Sequence, residues 1–213
     1  FAVSTISTHD SSGAVAGFAD ASGRFLPLVC TLNAARIFDA ATTILGKTHD
    51  EVGALALSSV PGAHGLTLLP YFEGERTPNR PTATGVFSGM NIANSNPADI
   101  ARAMIEGMLS GLADAVAALE DLGVDIKRVL IIGGAAKNPA VGQIASALFG
   151  RPVLIPPAGE YVADGAAKQA AWALLGGATP PVWDLGKAMH IEAVATPAVL
   201  EKYRTLRDAT VNW

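Results

Sequence analysis

Residues 85–106 read GVFSGMNIANSNPADIARAMIE. Gly85 and Gly89 bracket Phe87, a polar loop follows, and an Asn-Pro pair opens a long apolar periodicity. Asn96 fits an N-cap and Pro97 the first helical position, while Asp99 sits near the positive end of the helix dipole. The spacing predicts a helix over 97–122. Ile100, Met104, Met108 and Leu112 form one apolar row, and Ile105, Leu109, Leu112, Val116 and Leu119 the adjoining one. Gly123 is the expected stop.

Toward the C-terminus the pattern becomes β–α–β–α. RVLIIGG (128–134) reads as a buried strand running into glycines, and 138–148 as a helix stopped by Gly150. PVLIP (152–156) is a short strand. An Ala-rich helix over 162–175 stops at Gly176 and Gly177. A Pro-rich turn at Pro180 and Pro181 precedes a last helix over 198–209. Toward the N-terminus, LTLLPYF (66–72) reads as a strand. Thr48 and Glu51 make a capping box for a helix over 49–57, and an earlier helix ends at Gly46. Runs 1–6, 13–19 and 25–29, with a turn over 20–23, predict an antiparallel meander of two or three strands. Residues 73–96 form a long polar loop, a length that is usually functional or interfacial. A meander, then helices, then alternating elements give an α/β fold, a mixed sheet flanked by helices.

The chain has 213 residues, enough for one sizeable domain or two small ones. Its 50% hydrophobic and 16% charged content provides a large core and argues against disorder. The net charge of −4, with no Lys/Arg cluster, argues against a nucleic-acid partner. No apolar run reaches the length of a membrane span. Cys30 stands alone, which excludes an internal disulfide framework and fits a reducing, cytoplasmic setting. His9, His49, His64 and His190 are scattered, so no metal site is expected. Trp172, Trp183 and Trp213 are assigned to the core or to an interface. The chain opens at Phe1 in strand-like sequence, as expected for a piece of a longer protein.

The sharpest chemical feature is VLIIGGAAKNP over 129–139: a strand, two glycines, a turn and a helix start. Such a place offers bare backbone and unpaired N–H groups to a ligand. It lacks the G-x-x-x-x-G-K-[ST] and G-x-G-x-x-G patterns, so it is neither a Walker loop nor a dinucleotide fingerprint. Asn138 before Pro139 is, on pattern alone, a helix N-cap. Thr31 and Asn33 stand at another helix start, where Asn33 again fits a cap.

Together these segments resemble the FGGY carbohydrate kinases of the actin-like ATPase superfamily. Gly85, Phe87, Gly89, Asp99, Ile100, Ala103 and Glu106 fall in that family's order, and Gly133, Gly134 and Asn138 match its adenosine motif. PYFEGERTP (70–78) resembles the same segment in the family's xylulose-kinase branch. The resemblance implies a ribonuclease-H-like lobe, with residues 1–213 as the C-terminal, nucleotide-binding half of a two-lobed enzyme. It implies ATP and Mg²⁺, and transfer of the γ-phosphoryl group to a sugar hydroxyl, D-xylulose to D-xylulose 5-phosphate first. Glycerol, gluconate and ribulose are the other acceptors in view. Gly133, Gly134, Ala135 and Asn138 would meet the adenosine, and Thr31 and Asn33 the phosphate side. Glu73, Glu75 and Arg76 would fix the long loop as an ion-pair network. A small-residue helix around Gly165 would pack closely beside the adenosine motif. The catalytic base would belong to the N-terminal lobe, so no catalytic residue is assigned in this chain. A homodimer is a further expectation. The rival reading is a non-catalytic actin-like module used in assembly or regulation.

Overall fold

In the computed structural model, which describes residues 1–212, helix α3 (Pro97–Asp121) is the axis of the fold. The Asn96 side chain accepts from the Asp99 N–H, Pro97 takes the first turn, and Gly123 follows the helix at a φ of 84°. Every residue from 101 to 110 is buried, because helices α1 (Ala35–Leu45), α2 (His49–Ser58), α4 (Pro139–Phe149) and strand β3 (Thr67–Leu69) surround it. Met104, Ile105, Met108 and Leu109 meet Ile37, Phe38, Val52, Leu68, Val141 and Ile144 there. Full burial of each such side chain contributes roughly 1.5–3 kcal/mol, so this axis dominates the stability of the core. The expected capping box at Thr48 and Glu51 is formed, and Gly46 and Gly150 close α1 and α4 in left-handed conformation.

Strand β4 (Val86–Ser88), hidden inside the expected long loop, pairs antiparallel with β3. At its end Gly89 has a φ of 76°, and a Cβ there would lie 2.4 Å from the Gly65 carbonyl oxygen. Both facts demand glycine, which explains the second glycine of the opening stretch.

The N-terminal meander forms as expected. β1 (Val15–Ala16) pairs with β2 (Leu28–Val29), and Phe25 bridges to both Ser4 and Ala19. Strands β5 (Val129–Leu130), β6 (Val153–Ile155) and β7 (Met189–Ile191) make a mixed sheet, β5 parallel and β7 antiparallel to β6. The four pairings fall into three separate sheets rather than one.

Two expectations are corrected. RVLIIGG is not a buried strand. Val129 and Ile131 pack on the core, but Leu130 and Ile132 are 48% and 46% exposed because none of the described residues covers that face of β5. Helix α5 (Tyr161–Leu175) has no buried residue, and a Cβ at Gly165 would meet nothing within 4 Å, so the close packing expected there is absent. Trp172 donates to the Gly177 carbonyl at the end of α5, and Trp183 is exposed, so neither is in the core; Trp213 lies outside the described residues. Helix α6 (Pro197–Ala209) covers β3 with Tyr203 and Leu206. Arg80 lies over the Tyr71 ring and donates to the Arg207 carbonyl, which fastens the 73–82 loop to α6.

Candidate functional site

Beyond β5 the Ile131 N–H still bonds the Leu154 carbonyl at 2.9 Å, and then the chain leaves the sheet. Gly133 takes a φ of 103° and a ψ of 176°, a conformation closed to side-chain-bearing residues. One 3₁₀ turn follows (Gly134–Lys137), and α4 begins at Pro139. Gly133 and Gly134 are exposed, and a Cβ built on Gly134 meets nothing within 4 Å. The first N–H groups of such a turn have no partner within it. The place is therefore bare backbone with open space beside it. Ala135 is half-buried against the core and anchors the turn from behind.

Asn138 is buried. Its Oδ1 accepts from the Ala140 N–H at 3.0 Å, so it caps α4, and its Nδ2 donates to the His49 carbonyl at 2.9 Å. Gly133, Gly134, Ala135 and Asn138 thus form one unit. Thr31 and Asn33 do not join it. Helix α1 starts one residue later than a cap at Asn33 requires; its N-cap is Ala34, without a side-chain bond. Asn33 instead donates to the Gly74 carbonyl (2.6 Å) and to Glu75 Oε2 (3.0 Å), and accepts from the Phe72 N–H (3.1 Å). Buried Glu75 also accepts from the Leu32 and Arg76 N–H groups. The expected network of Arg76 with Glu73 and Glu75 is therefore replaced. Glu73 pairs with Arg36 of α1, and Glu75 binds backbone and amide. Thr31 lies half-buried beside this knot.

The two acids of the opening stretch hold a second strained turn. Ala63 and His64 have positive φ values of 46° and 50°, and such backbone persists only when its surroundings fix it. Asp99 accepts from Ser59 Oγ, from Asn96 Nδ2 (2.7 Å) and from His64 Nδ1 (2.9 Å). Burial pulls its carboxyl pKa up, but the hydrogen bonds from Ser59, His64 and Asn96 outweigh that and hold it below the ordinary value. Glu106 accepts from the Gly62 N–H with both oxygens (3.0 and 3.2 Å) and pairs with Arg102 Nε. There burial outweighs the Arg102 charge, and the pKa stands above the ordinary value. Ser59 bonds Asp99 rather than His64, so this is no activated nucleophile. Ser59 and Arg102 escaped the sequence reading, and His64 entered it only as one of four scattered histidines. The one available signal was the polar row Asp99, Arg102 and Glu106 on an otherwise apolar helix.

Among the described residues no group of three or more His, Cys, Asp or Glu side chains is placed to hold a metal ion. Among them, too, no helix is long and apolar enough to cross a membrane.

A model of the FGGY family of carbohydrate kinases, C-terminal domain, matches residues 9–174. A xylulose kinase of Streptomyces rubiginosus is 38% identical over 198 residues, covering 91% of this chain and 39% of that relative. The crystal structure of xylulose kinase from Bifidobacterium adolescentis matches with a TM-score of 0.87 at 48% identity, covering 97% of this chain and 41% of the other. Plasmodium falciparum glycerol kinase with ADP shares the fold at a TM-score of 0.78 and 17% identity, covering 99% of this chain and 44% of the other. The chain thus spans about two fifths of the length of these relatives.

Proposed function

This chain belongs to the FGGY family of carbohydrate kinases, and we propose that residues 1–213 are the C-terminal, nucleotide-binding lobe of a two-lobed sugar kinase. The complete enzyme transfers the γ-phosphoryl group of ATP to a sugar hydroxyl, with D-xylulose as the acceptor and D-xylulose 5-phosphate as the product. What supports the acceptor is the likeness to proteins named xylulose kinase. What supports the nucleotide is one observation: an exposed glycine turn with open space beside Gly134, ahead of a capped helix. The adenosine lies on Gly133, Gly134 and Ala135, with Asn138 behind them. Thr31 and Asn33 belong to the phosphate side, Asn33 through the 72–76 loop that it holds. Positioning and charge neutralisation carry such a transfer. Mg²⁺ is commonly held by one or two carboxylates together with the substrate phosphates and water. The ion is assigned to the nucleotide phosphates and to the rest of the enzyme, where it would supply charge neutralisation. The enzyme is cytoplasmic. Its other lobe covers the apolar residues exposed on β5 and α5, and a homodimer is the alternative cover.

The Gly134 backbone tests this reading. A valine there enters the open space, where its Cβ meets nothing within 4 Å. In the complete enzyme Gly134→Val raises the apparent ATP constant at least tenfold, a loss of about 1.4 kcal/mol, and leaves the sugar constant nearly unchanged. An unchanged ATP constant in a folded Gly134→Val enzyme removes the nucleotide from this turn.

A further inference from the structure

We infer that Glu75 is a positioning residue for the phosphate end of the nucleotide: its buried carboxylate fixes Leu32 and Asn33, which lead into α1, against the 72–76 loop. The inference rests on the nucleotide reading above and deepens it, by naming the residue that sets where the phosphate side stands.

Helices α2, α3 and α4 each start on a side chain that caps them, and α1 does not. The first turn of α1 carries no acid, and Arg36 stands there instead. No local cap therefore sets how the chain enters α1. Bonds to a loop about forty residues away do so. Every residue from 72 to 75 bonds the 32–36 segment. The Phe72 N–H donates to Asn33 Oδ1 (3.1 Å), Glu73 pairs with Arg36, and the Gly74 carbonyl accepts from Asn33 Nδ2 (2.6 Å). Glu75 accepts from the Leu32 N–H (2.7 Å) and from Asn33 Nδ2 (3.0 Å). The Arg36–Glu73 pair is exposed and contributes little. Glu75 is only 3% exposed, and its bonds go to N–H groups rather than to a cation. Such charge-assisted bonds are roughly twice as strong as neutral ones. They are what makes a buried carboxylate tolerable.

The backbone that carries the carboxylate is itself fixed. Glu75 and Arg80 exchange both N–H···O bonds, at 2.8 and 2.9 Å, and Arg80 donates to the Arg207 carbonyl of α6 at 2.7 Å. Gly74 has a φ of 69°, and a Cβ there would lie 2.3 Å from the Pro81 carbonyl oxygen, so the loop is closed on itself just ahead of Glu75. On the other side, α1 packs against the turn Gly134–Lys137. The segment that Glu75 holds and the glycine turn thus belong to one arrangement. A carboxylate and a phosphate repel each other, so Glu75 serves the nucleotide through the backbone that it holds. Small displacements of such a backbone are costly to the ligand placed on it.

The complete enzyme tests the inference, with adenosine, ADP and ATP as probes. Glu75→Gln keeps an acceptor for the Leu32 and Arg76 N–H groups but sets an amide against Asn33 Nδ2. It raises the ATP constant and the ADP inhibition constant at least fivefold. It leaves the adenosine inhibition constant and the sugar constant within twofold, since adenosine carries no phosphate. Asn33→Ala gives the same pattern. Adding Glu75→Gln to Asn33→Ala changes the ATP constant less than twofold, because the donor that the new amide opposed is gone. A merely structural role would not sort nucleosides from nucleotides. Four results overturn the inference: unchanged ATP and ADP constants in a folded Glu75→Gln enzyme, a loss shared equally by adenosine, additive effects in the double variant, or a loss that raised Mg²⁺ abolishes, which would make the carboxylate a ligand of the ion. If Glu75→Gln does not fold, Asn33→Ala decides on the same readings, and failure of both to fold overturns the inference equally. Gly134→Val separates this failure from that of the underlying reading, because it raises all three constants. A raised set there with an unaffected Glu75→Gln rejects the positioning role alone, whereas no effect from Gly134→Val rejects the nucleotide site and the inference with it.

Discussion

Incubated with Mg-ATP and D-xylulose, this chain alone releases no ADP above background. Ordinary kinases turn over on the order of 1–100 times per second, so the assay separates the outcomes widely. The expectation follows from what phosphoryl transfer needs. A carboxylate must stand at the acceptor hydroxyl, and a closed site must exclude water. The buried acids are all occupied. Asp99 holds Ser59 and His64, Glu106 holds Gly62 and Arg102, and Glu75 holds Asn33 and backbone N–H groups. The cleft between α3, α4 and α6 measures about 140 Å³, below the roughly 300–1,000 Å³ of small-molecule sites, and the Arg151–Glu120 and Arg204–Asp114 ion pairs stand at it. A turnover in the range of ordinary kinases would place a complete active site in this chain and overturn the two-lobe reading.

What the sequence made legible was local. The caps of α2, α3 and α4 and the left-handed stops at Gly46, Gly150 and Gly176 depend on neighbours a few residues away, and all are where the sequence put them. The glycine turn before α4 was legible for the same reason. What failed depended on distant partners. The burial of RVLIIGG is decided by what lies across the sheet, and one face of β5 has no cover among the described residues. β4 and β7 are three residues each, too short to carry a period. Asn33 reads as a cap because Asn usually caps a nearby helix, but its partners lie about forty residues away in the 72–76 loop. Asn138 shows both cases in one residue: its cap was legible, its bond to His49 was not.

Glu106→Ala destabilises the fold by about 3–5 kcal/mol, since removing one member of a buried pair leaves the other charge uncompensated. Arg102 and Glu106 are both nearly inaccessible on α3, and Glu106 also takes the Gly62 N–H at the start of the strained turn. The loss is a large fraction of the 5–15 kcal/mol that holds a typical domain together, so a urea titration reads it directly. Glu106→Gln separates the charge from the shape. It keeps an acceptor for Gly62 and Arg102 and cannot titrate. Because the folded-state pKa of Glu106 is raised, the protonated carboxyl is favoured in the fold. That contribution is fully present below the unfolded value of 4.5 and is lost as pH rises through the folded value. Wild type therefore stands best against Glu106→Gln near pH 4 and loses ground above it. Asp99 has the opposite sign and weakens only as pH falls below its ordinary 3.8, but it is common to both proteins and cancels in the comparison. If wild type instead gains on Glu106→Gln as pH rises, the Arg102 ion pair outweighs burial, and the charged carboxylate is what holds the 62–65 turn.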